Sequence, residues 1–312
     1  MILHTGNRTD IPAFYSEWFY NRIREGYVLV RNPYNEKFVT RYKLLPEIID
    51  LIVFCTKNPA PMLKDFELLG KFGQLWYVTI TAYGKGIEPG VPDKNEVIRA
   101  FKELSLRLGK DACVWRYDPV LVYEKYTVAQ HIRSFEKICQ TLSGFTDTCV
   151  ISFVELYEKV KANFPELRCV SLEEQRTLCA AFSEIASGYG MRIKLCGKSL
   201  LNNAQLLSYG VDTSGCMTEE VMEKALKVPF NIPPYKSARK ECSCYLGFDI
   251  GAYNSCAHFC RYCYANSNRE KVLANMKVHD PCSPFLIGNK KTDDEIHDAV
   301  QFSFKTGQIE MF

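Results

Sequence analysis

Leu75-Trp-Tyr-Val-Thr-Ile-Thr81 is an apolar run of strand length, rich in β-branched and aromatic residues. A polar connection leads to Asn95–Leu108, where Val97, Ile98, Phe101, Leu104 and Leu108 share one face at helical spacing. Gly109 ends that helix, and a second apolar run, Ala112–Tyr117, follows. Strand, helix, strand in this order describes two parallel strands joined by a crossover.

The same alternation extends in both directions. Further strand candidates are Ile2–Gly6, Leu51–Cys55, Cys149–Val154 and Met191–Cys196. Thr127–Leu142 sets Val128, Ile132, Phe135 and Leu142 on one helical face. Ser171 and Glu174 form a capping box ahead of Leu178, Phe182 and Ile185, and that helix runs to Gly188. Six strands alternating with helices predict an α/β fold with a parallel sheet. A partial (β/α)6 barrel and an open doubly wound sheet both fit, and six strands are too few for a full eight-fold barrel. The pattern changes after Thr218, with Pro229, Pro233 and Pro234 and then a Cys-rich stretch. The expected organisation is a barrel over 1–215 and a Cys-rich C-terminal segment over 216–312 packed on it.

Composition narrows the function classes. Hydrophobic residues make up 47%, enough for a sizeable core. Lys+Arg 39 against Asp+Glu 36 is too even to argue for a nucleic-acid surface. No apolar run is long enough to span a membrane, and His4, Arg8 and Asp10 come too early for a signal peptide. Fourteen cysteines without an export signal point to a reducing, cytoplasmic setting and to metal rather than disulfides. Cys113, Cys149, Cys139 and Cys179 sit in apolar strand or helix patterns and read as core.

Ligands of parallel α/β folds bind at the C-terminal ends of the strands. Polar residues gather there. Arg8 and Asp10 follow the first run, Lys57 the second, and Thr79 and Thr81 end the third, with Glu88-Pro89 beyond. Arg116 and Asp118 end the fourth run, and Glu155 follows the fifth. Asp10 also reads as a cap for a helix at Pro12, and Asp118 before Pro119 as a turn. Charges at one sheet mouth are costly unless paired or bound to a polar ligand.

Near the C-terminus stands Cys256-Ala-His-Phe-Cys260-Arg-Tyr-Cys263. Three thiolates spaced C-x3-C-x2-C can hold three irons of a 4Fe-4S cube and leave the fourth open. Zinc is the alternative, although its sites usually pair two C-x2-C knuckles or add histidines at set spacings. Cys196, Cys216, Cys242 and Cys244 form a second set, able to close a second 4Fe-4S cluster or a zinc site. Cys55, at a strand end, and Cys282 belong to neither set.

The triple-cysteine loop resembles the cluster loop of radical S-adenosylmethionine (SAM) enzymes. The order Thr56-Lys57, Thr79–Thr81, Glu88-Pro89, Arg116–Pro119 is similar to that in the spore photoproduct lyase branch. Over nearly its whole length the chain resembles a bacterial family catalogued as domain of unknown function 1848. The pieces carrying that likeness are Arg8–Tyr15, Thr56–Pro59, Tyr117–Pro119 and Cys242–Cys263. Radical SAM enzymes usually carry the loop after the first strand, whereas here it follows the last. The resemblance therefore implies a circularly permuted, radical-SAM-like barrel in which Phe248–Tyr253 replaces the lead-in strand.

It also implies that the open iron chelates SAM, whose one-electron cleavage gives a 5′-deoxyadenosyl radical that takes hydrogen from a substrate. Arg8, Lys57 and Arg116 are then carboxylate or phosphate contacts, and Asp10, Asp118 and Glu155 contacts for SAM or for protons. Thr79, Thr81 and Tyr262 join them as cofactor-side residues. The Gly-Gly-Glu motif that holds the SAM amino group in many relatives is missing. A small electron donor such as flavodoxin or ferredoxin is implied, and the substrate is a small molecule or a nucleic-acid lesion. Two other classes stand beside this one: a zinc-stapled binding module and an iron–sulfur electron-transfer protein.

Overall fold

The structure, a computed structural model, describes residues 1–234 and 244–306, so Cys242 lies outside the described residues. The strands are β1 (Ile2–His4), β2 (Tyr27–Arg31), β3 (Phe38–Lys43), β4 (Leu51–Thr56), β5 (Gln74–Thr79) and β6 (Cys113–Val120). They continue with β7 (Thr148–Phe153), β8 (Arg192–Leu195), β9 (Val211–Asp212), β10 (Phe248–Asp249) and β11 (Glu295–Asp298). Eight of these form one sheet in the order β10-β1-β4-β5-β6-β7-β8-β9. Every pairing in it is parallel. The fold is mixed α/β on a large parallel sheet, as the alternation implies.

The central strands are mostly apolar because helices and loops cover both faces of a parallel sheet, and their polar residues sit mainly towards the strand ends. All six residues of β5 are buried. The helix Lys94–Leu108 connects β5 to β6 and buries Val97, Phe101 and Leu104. Asp93 caps it by accepting from the Asn95 amide, and Gly109 leaves it at φ 87°, a conformation that favours glycine. The helices Val128–Leu142 and Leu172–Gly188 cover β6 and β7 through an aromatic stack. Phe135 lies between Trp115, at 4.8 Å between centroids, and Phe182, at 4.1 Å. The capping box of Ser171 and Glu174 is present.

The sheet corrects the strand count, since it has eight strands rather than six. The two additions, β9 and β10, are two residues each, too short to produce a period, although β10 falls within Phe248–Tyr253, the stretch expected to replace the lead-in strand. A second, three-stranded sheet in the order β11-β3-β2 was also not expected. In β3 exposed and covered residues alternate, so it carries no continuous apolar run. Among the described residues β9 and β10 do not pair, and the large sheet is not a closed barrel. Residues at both of its edges nevertheless line one cavity, so the sheet curves around its own C-terminal end. No helix among the described residues is long and apolar enough to cross a membrane.

Candidate functional site

Parallel pairing puts the ends of β1 and β4 to β8 on one side, and there they surround a cavity of about 390 Å³. Small-molecule pockets range from about 300 to 1,000 Å³. Arg8, Asp10, Lys57, Arg116, Asp118 and Glu155 all line it, with Thr79 between them. So do Cys256, Cys260, Tyr262 and Cys263 from the far end of the chain. Cys196, Cys216 and Cys244 line another part of the same wall.

Most of the charged ring is paired. The Arg8 Nε donates to Asp249 Oδ1 at 2.7 Å, which ties the turn after β1 to β10. Arg116 pairs with Asp118, whose other oxygen accepts from the Ser152 hydroxyl. The Arg116 Nε is buried and has no hydrogen-bond partner among the described residues. Asp10 caps the short helix Ile11–Phe14 through the Ala13 amide. Its second oxygen accepts from the Lys57 amide at 2.8 Å and meets His258 Nε2 at 2.8 Å. One carboxylate thus joins the turn after β1, the end of β4 and the cysteine loop.

The densest network centres on Glu88, which is 1% exposed. It accepts from Lys57 Nζ at 2.8 Å, from Lys94 Nζ, from Thr81 Oγ1 at 3.0 Å and from the Tyr262 hydroxyl. Burial alone would raise the Glu88 carboxyl, but Lys57 and Lys94 outweigh it and hold the group at about 2. Thr81 therefore serves Glu88 and is not on the cavity wall. Tyr262 sits between the middle and last loop cysteines and fastens the loop to this network.

Other contacts seat the loop. The Gly90 amide donates to the His258 carbonyl at 2.8 Å and the Arg261 amide to the Ile87 carbonyl at 3.0 Å. The Tyr15 hydroxyl donates to the Ser255 carbonyl at 2.6 Å, and Asn266 Nδ2 to the Cys256 carbonyl at 2.8 Å. A Cβ on Gly90 would lie 2.1 Å from the Ala257 oxygen. Gly90→Ala is therefore expected to cost about 1–3 kcal/mol, as overpacking does. Amide exchange should speed up from His258 to Arg261. Protection equal to wild type would mean that this close approach does not hold the loop.

Burial pushes the Cys256 and Cys263 thiols up and the Cys260 thiol to about 12. Such thiols are poor nucleophiles on their own, and a bound cation reverses that preference. Among the described residues, no three His, Cys, Asp or Glu side chains surround a single point as ligands of one metal ion. A cubane has no such requirement, because each thiolate binds a separate iron. The donor set of the loop fits a cluster with three protein thiolates.

In the other set, Cys216 Sγ and Cys244 Sγ are 3.5 Å apart. A hydrogen bond from Cys216 also lowers the Cys196 thiol below its ordinary range. Cys244 Sγ accepts from the amides of Cys216 at 3.2 Å and Met217 at 3.3 Å. Cys55 lines the cavity too, with its sulfur 4.0 Å from Arg116 Nη1.

Three participants were not among the expected site residues. Glu88 was legible as a polar residue beyond a strand, but its pairing with Lys57 and Lys94 was not. Lys94 reads as an ordinary first-turn helix residue. His4 reads as an interior residue of the first strand, yet it lines the cavity.

Fold and site together define a class: a parallel α/β protein whose strand-end cavity is walled by cysteines and a paired charged ring. A sequence profile for the family described as Domain of unknown function (DUF1848) matches residues 2–265, and the chain belongs to that family. No curated protein and no solved structure matches it.

Proposed function

We propose that this chain is a cytoplasmic iron–sulfur enzyme of the radical SAM type, with a circularly permuted, partial-barrel version of that fold. One observation carries the reading: the thiols of Cys256, Cys260 and Cys263 line the cavity at the strand ends, beside the charged ring. Its position supports the permutation as well. β10, which leads into the loop, lies parallel beside β1, so the loop reaches the mouth from the opposite end of the chain.

Cys256, Cys260 and Cys263 would hold the cluster, and its open iron would take SAM. Together they would supply one-electron hydrogen abstraction. The chain's own residues orient and enclose. Glu88 and Asp10 fix the loop through Tyr262 and His258. Lys57, with its ammonium 5.5 Å from the Tyr262 ring centroid, keeps a positive charge next to the cluster loop. Arg116 lines the cavity and keeps one donor, its Nε, without a hydrogen-bond partner among the described residues, which an anionic group of a ligand would satisfy. Glu155 lines the same cavity and adds a carboxylate to its wall. The reductant would be a small electron carrier such as flavodoxin or ferredoxin.

The test is anaerobic reconstitution with iron and sulfide, then incubation with SAM and dithionite. The expected results are a brown protein and release of 5′-deoxyadenosine. A brown protein that never cleaves SAM would make it an electron-transfer protein. A colourless one carrying zinc at the loop would make it a stapled module.

A further inference from the structure

The large sheet has two edges, β9 on one side and β10 beside β1 on the other, and they do not pair among the described residues. Cys196 after β8, Cys216 after β9 and Cys244 ahead of β10 meet at this seam, and His4 on β1 lines the same cavity. The sulfur pair at 3.5 Å already bridges the gap. Two backbone amides aimed at Cys244 Sγ are the surroundings that thiolate ligands of metals commonly have.

His4 is an independent observation. It is 1% exposed, and neither ring nitrogen has a hydrogen-bond partner among the described residues. Burying a polar group unpaired is unfavourable, so such a group calls for a ligand. His4 lines the same cavity as the three sulfurs. The segment after Cys244 packs directly on it, since a Cβ on Gly247 would lie 3.1 Å from His4 Cδ2.

We propose that Cys196, Cys216, Cys244 and His4 bind one zinc-type divalent ion that closes the seam of the sheet. Three thiolates and one imidazole are a recurrent zinc donor set. Thiolates bound tetrahedrally at about 2.3 Å stand about 3.8 Å apart, close to the observed sulfur pair. A cubane separates its ligands further, because each sits on its own iron. The four side chains do not surround one point before binding. Ligation draws them together by rotation of the side chains, coupling the two sheet edges. This site does not depend on the reading of the Cys256–Cys263 loop.

The experiment uses the full chain with Cys256, Cys260 and Cys263 all replaced by alanine, which removes the first set of thiols. Zinc and iron are measured per chain, and cobalt(II) is titrated as a spectroscopic probe. The expected result is about one zinc per chain with little iron, and cobalt absorption of a tetrahedral thiolate site. His4→Ala should weaken cobalt binding about a hundredfold and change its spectrum, and Cys244→Ser should do the same. If these variants fail to fold, X-ray absorption at the zinc edge of the His4-containing protein gives the ligand shell directly. Three sulfurs and one nitrogen support the site. Four sulfurs, an absence of bound metal, about four irons per chain, or cobalt binding unchanged by His4→Ala would each overturn it.

Discussion

Cys260→Ala, prepared anaerobically beside the wild-type chain, is expected to lose the iron of the Cys256–Cys263 loop entirely. Wild type should carry about four irons there, as a cubane does. Cys256→Ala and Cys263→Ala should behave alike, because a loop offering three thiolates has no spare to replace one. The variants should stay folded. The loop is seated by contacts that do not involve sulfur, among them Asp10 to His258 and Gly90 to the His258 carbonyl. Cys55→Ala is the control and should keep its iron, since Cys55 lies on β4 rather than on the loop. Iron analysis, visible absorption and circular dichroism check this. Full iron retention in the triple alanine variant would end the assignment.

Glu88→Gln should be the most destabilising substitution at the charged ring. It leaves Lys57 and Lys94 without their carboxylate charge and replaces one of the two oxygens that Tyr262, Thr81 and the lysines share by an NH2 donor. Breaking a buried ion network from one side costs about 3–5 kcal/mol, and about 3 is expected because both lysines keep partial exposure. The pH dependence follows from the same group. Its pKa falls from the ordinary 4.5 to about 2 on folding. Between those values the unfolded chain binds the proton and the folded chain does not. The stability Glu88 contributes is therefore present above about pH 4.5 and is lost as pH falls towards 2. Urea unfolding of the metal-free chain between pH 5 and pH 2.5 should show this slope in wild type and a shallower one in Glu88→Gln. Equal slopes would mean that Glu88 is not held ionised by the lysines.

Both predictions rest on contacts that differ in how visible they are in the chain. Cys256, Cys260 and Cys263 are neighbours in sequence, so their shared chemistry can be read from spacing. Arg8, Lys57 and Arg116 could be placed at the cavity because each follows an apolar strand-like run. Their partners could not be placed. Arg8 meets Asp249 and Tyr262 meets Glu88 across more than 170 residues. No local period records such a meeting. His4 was hidden for a related reason: inside an apolar run a histidine looks like any covered strand residue, and only its unpartnered ring sets it apart.

The alternation of apolar runs with amphipathic helices determined a parallel α/β sheet, because side-chain period follows backbone geometry within each element. The same local logic fixed the strand-end position of the polar ring and the three-cysteine loop. Tertiary structure alone decided the sheet's edges, where β9 and β10 are two residues long and gain their conformation from the neighbouring strand. The return of the last cysteines to the strand ends was expected from the resemblance, but the contacts that make it, such as Tyr262 with Glu88 and His258 with Asp10, were decided only in the tertiary structure. Those contacts are a matter of register and chain return, set by the summed packing of the whole core rather than by any one stretch of residues.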